Sequence, residues 1–166
     1  MKIRESIIVS VIFIASLFLY SSCRTKALAQ KSEVQQKKEA KELVIEMSKT
    51  MCFGRCPVYE IKIYNDGSCT YTGKLNVEKI GSYSKTIEVE ELRALQKAFE
   101  ENKFMDMRDE YVAHVSDVPT TWISFAKDKK SKKIKDMIGA PKALKDLEKM
   151  IEVIAFSESW EKVNND

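Results

Sequence analysis

Cys52 and Cys56 stand four positions apart in the stretch CFGRCPVYEIKIYNDG, around Gly54 and directly before Pro57. Two thiols at that spacing suit three uses: ligands for a metal ion, a redox pair, or the ends of a small disulfide ring. A structural zinc site draws four ligands from Cys and His at recognisable spacings. Beyond Cys23, the chain offers only Cys52, Cys56, Cys69 and the single His114, and Cys69 falls on the apolar side of a strand pattern. Met47 and Met51 would suit a soft ion such as copper(I), although methionine on a strand is ordinarily core. Thiol oxidoreductases favour two residues between their cysteines at a helix start; here three intervene before a strand. The reading adopted is the disulfide. It needs Cα atoms about 4.4–6.8 Å apart, whereas an extended stretch of this length spans about 13 Å. The chain must therefore turn tightly. Gly54 is expected to supply the freedom for the turn, and Pro57 to fix φ where the chain leaves it.

Other reactive residues form no recognisable constellation. His114 with Asp117 raises a general base, yet a lone loop histidine is ordinarily a surface or hydrogen-bonding residue. No GxSxG nucleophile motif and no phosphate loop occur. Trp160 suits a partner hot spot or, preferably, a lid on a sheet. No catalytic residue, metal or cofactor is assigned. The candidate functional surface is Gly54, Arg55 and Pro57 around the cysteine turn, with Asp117, Pro119 and Thr120 from a second turn-rich segment.

The compartment decides which cysteine chemistry is open. MKIRESIIVSVIFIASLFLYSSC begins with Lys2 and Arg4, continues through an uncharged run from Ile7 to Tyr20, and ends in Ser21-Ser22-Cys23. That is the order of a secretory signal, and the apolar run is shorter than the roughly 20 residues of a spanning helix. The LYSSC ending is similar to a lipoprotein lipobox, with Tyr20 where leucine usually stands, and marks Cys23 for lipidation. An uncleaved signal anchor is the alternative; either exports the domain and tethers it. Export permits a disulfide, and lipidation at Cys23 leaves three cysteines, one of them unpaired.

Arg24 to Glu42 carries six basic and three acidic residues and no aromatic one. Such a stretch cannot bury enough apolar surface to offset its ordering entropy. It reads as a solvated tether, with a polybasic lipid contact as the alternative. The whole chain is +3; once signal and tether are set aside, residues 43–166 are −1, so a nucleic-acid-binding domain gains no support from charge. The expected organisation is a signal over 1–22, a lipidated Cys23 and tether over 23–42, and one domain over 43–166.

The domain alternates periods. Leu43 to Ser48 is a short β-rich run. Tyr59, Ile61 and Ile63 alternate with polar residues, Asn65-Asp66-Gly67 is a hairpin turn, and SCTYTG returns with Cys69 and Tyr71 on one face. Val77 to Ile87 is expected as a bent strand or strand pair, with Gly81 a turn or bulge. Leu92, Leu95 and Phe99 then fall at helical spacing, ending by Asn102. Residues 104–119 look like a long connection. TTWISFA and KKIKDMI are two strands around a charged turn, and Gly139-Ala140-Pro141 opens a helix with Leu144, Leu147, Ile151 and Ile154 as its stripe. The order β-β-β-β-α-β-β-α predicts an α+β domain, an antiparallel sheet with two helices packed on one face.

These segments together carry a resemblance. CFGRCPVYEIKIYNDG, SYSKTIEVEELRALQKAFEENKFMDMRDEY, VSDVPTTWISF and GAPKALKDLEKMIEVIA, in that order, resemble the bacterial family catalogued as domain of unknown function 6438. The likeness covers most of residues 43–160. It implies one fold unit and an export or lipoprotein signal, and brings no activity. Cys69 and His114 do not belong to the family's motif. The function expected is an exported, membrane-anchored lipoprotein of the cell envelope. Its domain is a non-enzymatic binding module for an unknown protein or small-molecule partner. The alternative is a metal-binding or thiol-redox envelope protein using Cys52, Cys56 and His114.

Overall fold

The computed structural model describes residues 40–114 and 117–164. The expected signal segment, Cys23 and the tether up to residue 39 lie outside the described residues. The elements are β1 (Leu43–Lys49), β2 (Val58–Tyr64), β3 (Ser68–Leu75), β4 (Gly81–Thr86), α1 (Val89–Glu101), a 3-10 turn (Phe104–Asp106), β5 (Glu110–Tyr111), β6 (Thr121–Lys127), β7 (Lys130–Asp136), α2 (Lys142–Ala155) and β8 (Glu161–Lys162). Among the described residues, one sheet holds eight strands in the order β5-β7-β6-β1-β2-β3-β4-β8. Only the β5–β7 pair is parallel. This is an α+β domain.

Alternation decides which face of the sheet is covered. Ile45 and Met47, Tyr59, Ile61 and Ile63, Cys69 and Tyr71, and Ile123 and Phe125 all point inward and are buried. Their neighbours Glu46, Glu60, Lys62, Thr70, Thr72 and Ser124 face the other way and stay half-exposed. Leu92, Leu95 and Phe99 of α1, and Leu144, Leu147, Ile151 and Ile154 of α2, close over the inward set. The two helices therefore share one face, as an apolar stripe at helical spacing requires. Phe99 lies 4.9 Å from Phe104 and 4.8 Å from Phe125, ring centre to ring centre.

The helices cross the strands at opposite ends. Ile87, just before α1, donates its N–H to Gly67 O at 3.0 Å, and Glu100 near its far end pairs with Lys127. Helix α1 thus lies over the end where β1 begins. Lys145 pairs with Asp136, and seven residues later Glu152 pairs with Lys49. Helix α2 lies over the end where β1 finishes and the cysteine turn begins. Beyond α2, Trp160 packs on Tyr71 at 5.5 Å and donates its indole N–H to Ile154 O at 3.3 Å, as a lid should.

The Asn65-Asp66-Gly67 hairpin forms as its residues predict: Gly67 has φ +80, and a Cβ there would approach Ile87 O at 2.8 Å. Gly73 serves another purpose, since a Cβ on it would run into Lys79 O as the chain doubles back towards β4. That doubling back replaces the strand expected from Val77: residues 76–80 are a turn, and Gly81 begins β4. Two short strands were not anticipated. Each has two residues, too few to show a period, and β5 and the 3-10 turn lie inside the segment expected as a plain connection.

Candidate functional site

The cysteine turn leaves β1 at Lys49 and rejoins the sheet at Val58. Cys52 and Cys56 come to disulfide distance, with Cα atoms 5.7 Å apart. The closure does not depend on Gly54 as the residue types suggested. Gly54 is not among the glycines with positive φ, and a Cβ there would meet only Cys52 Sγ at 3.8 Å, an ordinary contact. The turn closes in conformations that any residue adopts. Its backbone is fixed from outside instead. Thr50 N–H donates to Thr120 O at 3.0 Å, Thr120 N–H donates to Thr50 Oγ1 at 2.9 Å, and Asn76 Nδ2 donates to Cys56 O at 3.1 Å.

The two Thr50–Thr120 bonds join the two halves of the surface expected from the sequence. Gly54, Arg55 and Pro57 lie on the turn, and Asp117, Pro119 and Thr120 lead into β6 beside it. Gly54, Arg55 and Asp117 are exposed, while Pro57, Pro119 and Thr120 are half-buried against the sheet. Among the described residues, the most exposed large apolar one is Phe53, inside the ring, at 91 %; Met51 at its base is 67 % exposed. Apolar surface at the apex of a braced loop is the feature that a solvated turn lacks.

Beneath the turn runs a polar row that the sequence reading did not pick out. Asp136, Thr121, Lys49 and Tyr59 are successive partners across β7, β6, β1 and β2. Helix α2 places Lys145, Glu148 and Glu152 over them. Glu152 pairs with Lys49 and accepts the Tyr59 hydroxyl at 3.3 Å. Lys145 pairs with Asp136 and lies 3.3 Å from Glu148. Asp136 and Glu148 are almost wholly buried, and neither Asp136 oxygen finds a hydrogen-bond donor beyond that ion pair among the described residues. Burial first, and then the Asp136 carboxylate beside it, push the Glu148 carboxyl up to about 7. Two buried carboxylates facing one lysine favour keeping a proton between them.

Nothing in this row resembles an activated nucleophile. Burial and then the Glu152 carboxylate push the Tyr59 hydroxyl up, so it stays protonated. Burial pushes the Cys69 thiol up to about 11, and Cys69 is unpaired and buried. Reactive cysteines are moved the other way. His114 is exposed on the loop after β5. Among the described residues, no three of His, Cys, Asp and Glu are grouped to hold a metal ion.

A family model described as a domain of unknown function (DUF6438) matches residues 43–155. The chain belongs to this family. The DUF6438 match begins at the first residue of β1 and ends at the last residue of α2. It therefore contains the cysteine turn, the segment from Asp117 to Thr120 and the whole polar row. Strand β8 and the Trp160 lid follow it. No curated protein matches the chain.

Proposed function

We propose that this DUF6438 protein is an exported lipoprotein, lipidated at Cys23, whose domain binds a partner and catalyses no reaction. The supporting observation is Phe53, 91 % exposed inside a ring whose cysteines lie at disulfide distance. A ring held on both flanks keeps the aromatic side chain outside at little further entropic cost on binding. A convex apolar tip beside Arg55 suits insertion into a pocket of another protein better than enclosure of a small molecule. The turn also sits at the opposite end of β1 from Leu43, where the strand begins.

Intact mass of the protein extracted from the envelope of a bacterial host tests the anchoring. A chain beginning at a lipidated Cys23 is expected; an unmodified chain beginning at Met1 contradicts it. A photo-crosslinking phenylalanine analogue at position 53 tests the surface, with the same analogue at the exposed Ile80 as control. Discrete adducts at 53 and none at 80 are expected, and equal labelling at both contradicts a dedicated tip.

A further inference from the structure

The β6–β7 hairpin concentrates lysines that this reading does not use, although Lys133 and Lys135 lie 5.4 and 5.8 Å over the Trp122 ring. Residues 127–135 read KDKKSKKIK, six lysines against one aspartate, in a domain whose overall charge is near zero. Lys127 pairs with Glu100 and Lys132 with Asp109. Lys129, Lys130 and Lys133 are exposed and have no ion-pair partner among the described residues. The two-residue turn that joins the strands has Asp128 at φ 52 and Lys129 at φ 64. Such a turn prefers Asn and Gly at those positions, so a lysine at its tip is held in a backbone conformation that its side chain disfavours.

Deterrence of strand pairing accounts for part of this. Strand β5 covers only Lys135 and Asp136 of β7, and lysines blunt the open edge that remains. That purpose requires no lysine at the turn tip. The tip lies at the end of the sheet where β1 begins, because Ile45 pairs with Phe125 and Lys127 closes the strand beyond it. Exposed Lys103 lines the same hollow as Lys127 and Lys130. Other acids of this end lie on the β3–β4 side, where Ile87 bonds to Gly67: Asp66, Glu88 at the N-cap of α1, and Glu90 and Glu91 in its first turn. Glu100 is neutralised by Lys127, while Asp106 and Asp128 stand among the lysines.

We infer that the Lys127–Lys135 hairpin is a docking corner for an anionic phospholipid bilayer. The inference rests on the anchored reading, in which the tether joins the fold just before β1. A lysine-rich corner at that end, opposed by acids on the other side, turns β6 and β7 towards anionic headgroups and sends the cysteine turn outward. Lysine attraction to an anionic leaflet is short-ranged and additive, which suits a corner brought close by a tether.

The core lies between Val44 and Trp160, and residues from Ala40 onward form one compact unit, so a chain starting at Ala40 retains everything the fold needs. Sedimentation of that chain with phosphatidylglycerol vesicles is the test, with phosphatidylcholine vesicles alongside. Binding to phosphatidylglycerol alone is expected at about 10 mM salt and lost near 1 M, where the screening length falls to about 3 Å. Joint replacement Lys129→Gln, Lys130→Gln and Lys133→Gln should weaken it about a hundredfold, at roughly fivefold per lysine. Replacement Lys142→Gln, Lys149→Gln and Lys162→Gln removes equal charge elsewhere and should weaken it less than about fivefold. Equal loss in both triples, equal binding to both lipids, or lysine-dependent binding to duplex DNA without vesicle binding would each overturn the inference. The wild-type salt titration remains decisive if a triple variant fails to fold. The Ala40 chain has no Cys23, so its failure to bind leaves the anchoring to be judged by intact mass alone.

Discussion

Replacing Glu148 by Gln should flatten a pH dependence of stability that the wild-type protein carries. Glu148 is buried beside Asp136 and Lys145, and its carboxyl is pushed from an ordinary value near 4.5 up to about 7. The folded state therefore holds a proton between those values that the unfolded state releases. Stability from this group is complete below about 4.5 and is lost as pH rises through about 7. The distance between those two values corresponds to roughly 3 kcal/mol at most. Urea unfolding at pH 5, 6, 7 and 8 reads it. With a slope near 2 kcal/mol per molar, the wild-type midpoint should fall by about 1–1.5 M across that range from this group alone. Glu148→Gln keeps an amide donor for Asp136 and has nothing to titrate. Its midpoint should change less, so the wild type loses ground against it as pH rises from about 5 to about 7 and little more beyond. Parallel midpoint profiles for the two proteins would refute the shared proton.

Three further outcomes follow from packing. Phe99→Ala removes a fully buried ring from between Phe104 and Phe125 and should cost about 3–5 kcal/mol of unfolding free energy. Gly73→Ala forces a Cβ into Lys79 O, so thermal unfolding should show a loss above the ~1 kcal/mol of an ordinary glycine substitution, whereas Gly54→Ala should be within about 0.5 kcal/mol of wild type. Cys56→Ser should cost about 2 kcal/mol, the closure entropy of so small a ring, and leave the circular dichroism of the folded domain intact.

The parts legible in the sequence are those where one local signal sufficed. Tyr59, Ile61 and Ile63 alternate, Asn65-Asp66-Gly67 turns, and Leu144, Leu147, Ile151 and Ile154 form a stripe; each became the element its pattern implies. Strands β5 and β8 exist because a neighbour offers an edge, which no two-residue stretch can announce. The polar row is hard to read from sequence because charged side chains are ordinarily exposed. Two signals were present all the same. Asp136 is two residues from Ile134 and so shares its buried side of β7, and Glu148 stands four residues from Leu144 and three from Ile151, inside the apolar stripe. Gly54 failed in the opposite sense: its type suggested a strained turn, and its backbone has no positive φ.

The central claim is an exported domain whose ring holds Phe53 outward, and peptide mapping of envelope-extracted protein under non-reducing conditions tests it most directly. The Cα separation of 5.7 Å and the buried, unpaired Cys69 predict a linked Cys52–Cys56 peptide and a Cys69 thiol that reacts only after unfolding. Free thiols at both Cys52 and Cys56, or a bridge from either to Cys69, would contradict the account.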